Sequence, residues 1–478
     1  MLKRWLVLIV LFVGVGVTYA QEGEPGAEGV GDPFYPLLGG GGYDVQHYTL
    51  EVNVDMQNQS IEGVATIEII ATQDLSAFNL DLWRLEVSSV TIDGSPAEFT
   101  HERRELNITL PEGRSEGETF TAIITYGGEP SPIIEQSIGA MIGWNFGNGY
   151  VYTASETNGS ATWYPVNDHP SDKATYTFII TVPEPYVVAA NGVREDTIDN
   201  GDTLTYVWEM AQPMASYLAT VDIDTFVVNA YQENGVVIQN FFPERVAESA
   251  EQVFAIQDEM VVYFSEIFGE YPFDEYGAII TQAPLGFALE TQTRSLFGLN
   301  VATSDPGDAE EVIAHELAHQ WFGDAVSPER WDDIWLNEGF ATYASWLWFE
   351  HTQGADAMTD ITANIMDYLS GEYFRREGAT EAQIERELAR IVAPGKVQGD
   401  DLFNGGVYVR GAMTLHALRL TVGDDAFFEI LQTYYETYQY GNANTADFVA
   451  VAEEVSGEEL SDLFDAWLYA EQTPDLPE

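Results

Sequence analysis

Val312-Ile-Ala-His-Glu-Leu-Ala-His-Gln-Trp-Phe-Gly323 carries His315, Glu316 and His319 in the pattern H-E-x-x-H. On an α-helix, positions i and i+4 lie one above the other on the same face. Both imidazoles then reach one ion, with Glu316 beside them. Two neutral nitrogen ligands and a carboxylate base are what zinc-assisted hydrolysis needs. Asp308 and Glu311 read as a capping box, Gly323 reads as a C-cap, and good helix formers lie between them. The segment is therefore predicted to be a helix over residues 308–322. Five residues can match by chance, so the metal reading requires a third ligand. The candidate is Glu338 in Trp335-Leu-Asn-Glu-Gly-Phe-Ala-Thr-Tyr343, within an amphipathic stretch running to about Glu350.

The 478 residues are 45% hydrophobic and 13% aromatic, a globular composition with room for two or three cores. Residues 1–20 read as a secretory signal. Lys3 and Arg4 form the basic start, Trp5 to Val17 the apolar core, and Thr18-Tyr19-Ala20 the cleavage site. Secretion or another extracytoplasmic location follows, with an uncleaved anchor as the alternative; no other segment is long and apolar enough to span a membrane. With no cysteine, the chain has no disulfide and no Cys lipid anchor, and any metal site must use His and carboxylate. Seventy-eight acidic residues against 18 basic ones leave a net charge of −60. Nucleic acid and anionic membranes are excluded as partners by repulsion. The acidity reads as a solubilising surface, or alternatively as a field that steers cationic peptides within the range salt allows.

Residues 21–42 are rich in Gly, Glu and Pro and read as a flexible linker. Over residues 43–229 the pattern is β, as in Tyr48-Thr-Leu-Glu-Val-Asn-Val54 and Ile61-Glu-Gly-Val-Ala-Thr-Ile-Glu-Ile-Ile70. Further strands are expected near 76–94, 104–110, 118–126, 174–182, 186–190 and 203–209. Residues 230–474 change to helical spacing around a small sheet, leaving 475–478 as a tail. The fold class is α+β, an all-β domain followed by an α-rich one.

Four segments then show a resemblance. Gly286-Phe-Ala-Leu-Glu-Thr-Gln-Thr-Arg294 resembles the Gly-x-Met-Glu-Asn signature of the gluzincin aminopeptidases of the aminopeptidase N and leukotriene hydrolase type. His315 to His319, with Glu338 in Leu-Asn-Glu-Gly-Phe-Ala, is similar to that family's zinc signature. Val407-Tyr-Val-Arg-Gly-Ala412 resembles its Tyr-x-Lys-Gly motif, and Trp163 to Tyr176 resembles a Pro- and Lys-containing stretch of its β domain. The resemblance implies a thermolysin-like catalytic domain holding one zinc ion per chain through His315, His319 and Glu338. It also implies that Glu316 is the general base and the Tyr408 hydroxyl the oxyanion donor. Glu290 and Glu156 become the carboxylates that hold a free α-ammonium, and the backbone of Gly286, Phe287 and Ala288 a rail for the peptide. The substrates implied are peptides with a free N-terminus.

Three departures accompany the resemblance. Ser345 stands where relatives often carry an acid, and Arg410 replaces the common Lys. The sequence also stops at Glu478, near where the family's catalytic domain ends, so a short form without the large C-terminal helical domain is expected. Its site would be more open, and long peptides are expected to be accepted. Alternatives are a zinc endopeptidase, an epoxide hydrolase on the same scaffold, and a non-catalytic peptide-binding relative. The ammonium-binding role of Glu290 argues against the first, and the intact ligands, base and tyrosine against the last. His47, His101, His169 and His351 read as structural or solvated, and His416 as a core histidine.

Overall fold

The computed structural model describes residues 23–233 and 235–477; the proposed signal, residues 1–20, lies outside them. The first domain is built on an eight-stranded sheet. From edge to edge its strands are Val193–Asp199, Thr203–Ala215, Lys173–Pro183, Tyr43–Asp55, Ser60–Ala71, Thr119–Gly128, Glu86–Ile92 and Ser95–Pro96. Neighbours are antiparallel except Tyr43–Asp55 with Lys173–Pro183, which run parallel. The period-two pattern explains the layering: Ala174, Tyr176, Phe178, Ile180 and Val182 all point into the core. A four-stranded sheet and a five-stranded sheet complete the domain.

Several strands were not legible in the sequence. Ile133–Glu135 and Ala140–Phe146 form a hairpin that joins Val151–Ala154, Val221–Asp224 and Val187–Ala190 in the five-stranded sheet. Its outward residues Ile134 and Met141 are apolar and exposed, so the hairpin lacks the alternation that marks a half-buried strand.

The expected boundary between residues 229 and 230 falls inside a hairpin. Phe226–Glu233 pairs along its length with Val236–Pro243, which in turn pairs with Glu275–Tyr276 and Ala278–Ile280 of the catalytic-side sheet. A boundary at 229 would cut this hairpin. Helices carry the rest, among them Gln257–Phe268, Pro306–Ala318, Trp335–Gln353, Gly405–Val422, Asp424–Tyr438 and Thr445–Ser456.

Residues 23–42 are not a free linker. Glu24–Pro25 adds to the four-stranded sheet beside Leu75–Asp81. Asp32 is 2% exposed and accepts hydrogen bonds from the backbone N–H groups of Phe34 (2.7 Å) and Tyr35 (2.8 Å). It also accepts one from Trp331 N–H (2.9 Å) in the second domain and meets His169 Nε2 (3.3 Å) in the first. One carboxylate thus ties the segment to both domains, a tertiary use of Asp that composition does not reveal. Gly39 N–H donates to Asp81 and Gly40 N–H to Asn167, fastening the glycine run as well.

Burial raises the Asp32 pKa, and the hydrogen bonds from His169, Trp331, Tyr35 and Phe34 more than reverse it, leaving a lowered value. A depressed carboxylate stabilises the fold above its unfolded pKa of about 3.9, and that contribution is lost as pH falls through the lower folded value. Asp32→Ala also orphans the buried Trp331 N–H. It is expected to cost about 2–4 kcal/mol in urea unfolding and to expose residues 23–42 to protease. An unchanged midpoint and an unchanged digestion pattern would place the tie elsewhere.

Candidate active site

The His315 helix runs Pro306–Ala318, starting and ending earlier than the sequence indicates. Pro306 occupies the first turn, where its missing N–H costs nothing, so Asp305 rather than Asp308 is the N-cap. At the other end His319 is the C-cap, and a tight turn follows to Gly323, whose φ is +136°. A Cβ at Gly323 would sit 3.0 Å from His319 Nδ1, so only glycine lets the turn close over that ring. In the turn His319 Nδ1 lies 3.0 Å from the Phe322 carbonyl. In the neutral ring, donating the Nδ1 proton there leaves Nε2 with a lone pair facing the cavity.

Glu338 lies in the first turn of the helix Trp335–Gln353 and Tyr408 in the first turn of Gly405–Val422. These two helices cross with backbones in contact at Gly339 and Gly411. A Cβ on Gly339 would meet Gly411 Cα at 2.9 Å, and one on Gly411 would meet Gly339 Cα at 3.0 Å. This close crossing brings Glu338 and Tyr408 to one side of the two imidazoles. The Tyr408 ring stacks on His315 with centroids 6.0 Å apart.

The donors converge. His315 Nε2 is 3.1 Å from Glu338 Oε2, His319 Nε2 is 3.5 Å from the same oxygen, and the two Nε2 atoms are 3.1 Å apart. His315 Nδ1 is 3.5 Å from Thr342 Oγ1. Two imidazole nitrogens and one carboxylate oxygen, open to a cavity on the remaining side, fit a catalytic zinc ion. Glu290, Glu316 and His319 also come within 4.8 Å of one another. That second grouping shares His319, has a single nitrogen donor, and is the weaker fit.

Charge explains why a cation belongs here. Glu156, Glu290, Glu316 and Glu338 are 8%, 2%, 5% and 4% exposed and face one cavity of about 600 Å³. Glu156 Oε1, Glu290 Oε1 and Glu316 Oε2 are buried without a hydrogen-bond partner. Burial pushes Glu156 and Glu316 well above the usual carboxylate range, and the facing carboxylates push further. Glu290 is raised by burial, with His319 working against that. Burial would also raise Glu338, yet its hydrogen bonds to His315 and His319 and their charges hold it at about 2. His319 is drawn up to about 10, because Glu290, Glu338 and Glu316 overcome the effect of burial. Unpaired buried carboxylates are costly, and positive charge offsets that cost.

All ten residues singled out in the sequence line this cavity, Gly286, Phe287 and Ala288 among them along one wall. The backbone groups of these three make no hydrogen bond and are free for a ligand, while Leu289 is anchored to Leu296 through both its N–H and its carbonyl. Sequence reasoning missed Ile138 and Ile142 on the hairpin, and Phe403 and Val409 beside Tyr408. It also missed Asp308, Glu311 and Val312 as cavity residues, although counting back from His315 by three, four and seven finds them. Ser345, one of the departures, lines the cavity and donates to the Thr342 carbonyl (2.8 Å). Arg410 is turned away: its guanidinium donates to the carbonyls of Trp467 (2.6 Å), Ala466 (3.0 Å) and Ala470 (2.8 Å). His416 is a core histidine against Tyr343, held down at about 4 by burial and the Arg419 charge.

Residues 256–467 match the model of the peptidase family M1 domain, and residues 44–218 that of the peptidase M1 N-terminal domain. The chain belongs to peptidase family M1. It is 25% identical over 450 residues to aminopeptidase N of Streptomyces lividans, covering 87% of this chain and 49% of that protein. The chain spans about half the length of the curated M1 relatives it matches. A mutant of the M1 zinc metallopeptidase of Deinococcus radiodurans bound to a Tyr-Ser-Ala substrate superposes with a TM-score of 0.83 at 29% identity, covering 94% of this chain and 99% of that one. A solved mutant described as a two domain M1 zinc metallopeptidase bound to L-tryptophan gives the same score and identity over 94% and 100%.

Metal analysis of the purified chain tests the donor set. One zinc per chain is expected, and Glu338→Ala or His319→Ala should lower metal affinity by more than tenfold, roughly the range seen even for partners that only orient ligands. Full zinc retention by both variants would exclude these ligands.

Proposed function

We propose that this chain is a zinc aminopeptidase that removes N-terminal residues from peptides. The observation that carries the reading is the pair of buried carboxylates Glu290 and Glu156, with unpartnered oxygens, in the cavity that holds the metal donors. An α-ammonium is the substrate group that compensates both. A peptide chain continuing past the metal would instead set neutral amides against two buried charges, which disfavours the endopeptidase alternative.

Zinc held by His315, His319 and Glu338 would polarise the scissile carbonyl and acidify water beside it. Glu290 and Glu156 hold the ammonium and so set the first peptide bond over the centre. Glu316 accepts a proton from the attacking water and passes it to the leaving amine. A carboxyl whose pKa burial has raised is suited to that exchange near neutral pH. The Tyr408 hydroxyl, which burial keeps protonated, donates to the developing oxyanion; losing such a donor typically costs about 2.7–4 kcal/mol of barrier.

The test compares aminoacyl-fluorophores with free and acetylated amines, with and without chelator. Turnover is expected only with the free amine and the metal. Glu316→Gln should abolish turnover with zinc still bound, and loss of zinc there would reject the base assignment. Glu290→Ala should raise KM for free amines, and an unchanged KM would remove its recognition role.

Export belongs to the same proposal. The support is the basic start, apolar core and small-residue site of residues 1–20; among the described residues, no helix is long and apolar enough to cross a membrane. N-terminal sequencing of protein from the source cells should begin at Gln21. An N-terminus within the apolar core or at Met1 would reject cleavage.

A further inference from the structure

The cavity has a direction. Glu290 sits at the C-terminal end of the His315 helix: Gln320 Nε2 donates to its carbonyl (3.2 Å), and Glu290 and His319 are within 4.8 Å of each other. A peptide held there by its ammonium leaves the metal donors towards the opposite, N-terminal end of the helix. That end presents Glu311 and Asp308 to the cavity, one and two turns before His315. At a rise of 1.5 Å per residue they lie about 6 and 10 Å beyond His315. An extended peptide advances about 3.3 Å per residue, so the two carboxylates flank peptide positions two to four.

What separates Asp308 and Glu311 from the other exposed acids is that they line this cavity. Their carboxylates make no ion pair and no side-chain hydrogen bond, whereas Glu310, on another face of the same helix, accepts from Trp348 Nε1 (3.4 Å). Among the described residues, no Lys or Arg lines the cavity, and Arg410, the nearest motif cation in sequence, is spent on backbone carbonyls. The unpartnered Glu156 and Glu290 oxygens in the same cavity orient the ligand.

Building on the aminopeptidase reading, we propose that Glu311 and Asp308 form a leaving-side subsite for Lys or Arg at positions two to four of the peptide. The same field repels a carboxylate there. The site therefore selects basic peptides and discriminates against acidic ones and against short peptides whose free C-terminus falls beside Glu311.

The experiment measures kcat/KM for three C-terminally amidated peptides, Leu-Lys-Ala, Leu-Ala-Ala and Leu-Glu-Ala, at low and high salt. At low salt the Lys peptide is expected to exceed the Glu peptide by about tenfold, as attraction and repulsion by the two exposed charges add. High salt should bring the two towards parity. In Asp308→Asn/Glu311→Gln the Lys-to-Glu ratio should fall close to one, with the neutral peptide reporting that the variant is folded and active. Glu429→Gln, an exposed acid outside the cavity, should keep the wild-type ratio. Equal rates for the Lys and Glu peptides, with the neutral one cleaved, overturn the subsite. So does an equal fall of the ratio in Glu429→Gln, which assigns the preference to net charge. No cleavage of any of the three by zinc-loaded protein overturns the aminopeptidase reading itself, and the subsite with it.

Discussion

Four carboxylates buried around one cavity are the constraint on which the rest of this structure turns. Glu156, Glu290, Glu316 and Glu338 are each less than a tenth exposed, and three of them keep an oxygen without a partner. Like charges in a low-dielectric cavity raise one another's pKa and oppose folding. The arrangement is tolerable where cations enter: the imidazoles already hold Glu338 ionised, and bound positive charge would match what remains. The stability of the apo site and its affinity for positive ligands are therefore two sides of one electrostatic balance.

Holding these groups together takes rigid elements from both domains. Glu156 follows the strand Val151–Ala154 of the first domain, and the metal donors sit on two helices of the second. The Gly339–Gly411 crossing sets how near the Glu338 and Tyr408 helices approach. The domains are joined by polar ties that sequence composition hides. Asp32 links residues 23–42 to Trp331 and His169, and the half-buried Lys173 side chain donates from its ammonium to the carbonyls of Asp324 (2.8 Å) and Ala325 (3.0 Å). Burial draws that lysine down to about 7, although Asp324 pulls the other way.

Much of the site was legible because its parts lie on regular elements. The spacing of His315 and His319 is a helical repeat, and the same repeat carries Glu311 and Asp308 into the cavity. The β alternation of Tyr43–Asp55 and Lys173–Pro183 was equally plain, since one face of each strand is core. Legibility failed where local rules were overridden. Pro306 moved the helix start away from the apparent capping box. The Gly- and Pro-rich residues 23–42 packed because a single buried Asp had partners in two domains. The Ile133–Phe146 hairpin has apolar residues facing both cavity and solvent, so no period marks it.

By itself the sequence determined the two-domain order and the acidic character and singled out the candidate metal donors and the candidate base, because each depends on residue type and short-range spacing. Glu290 and Glu156 could be named as candidates from motif resemblance, but their meaning was tertiary. Only the folded chain decided that their oxygens are buried and unpartnered, that Arg410 faces away from the site, and that Glu311 and Asp308 of the His315 helix line the same cavity. Those outcomes depend on what each side chain is packed against, and that is set by contacts between segments more than a hundred residues apart, such as Glu156 and Glu290 across the cavity.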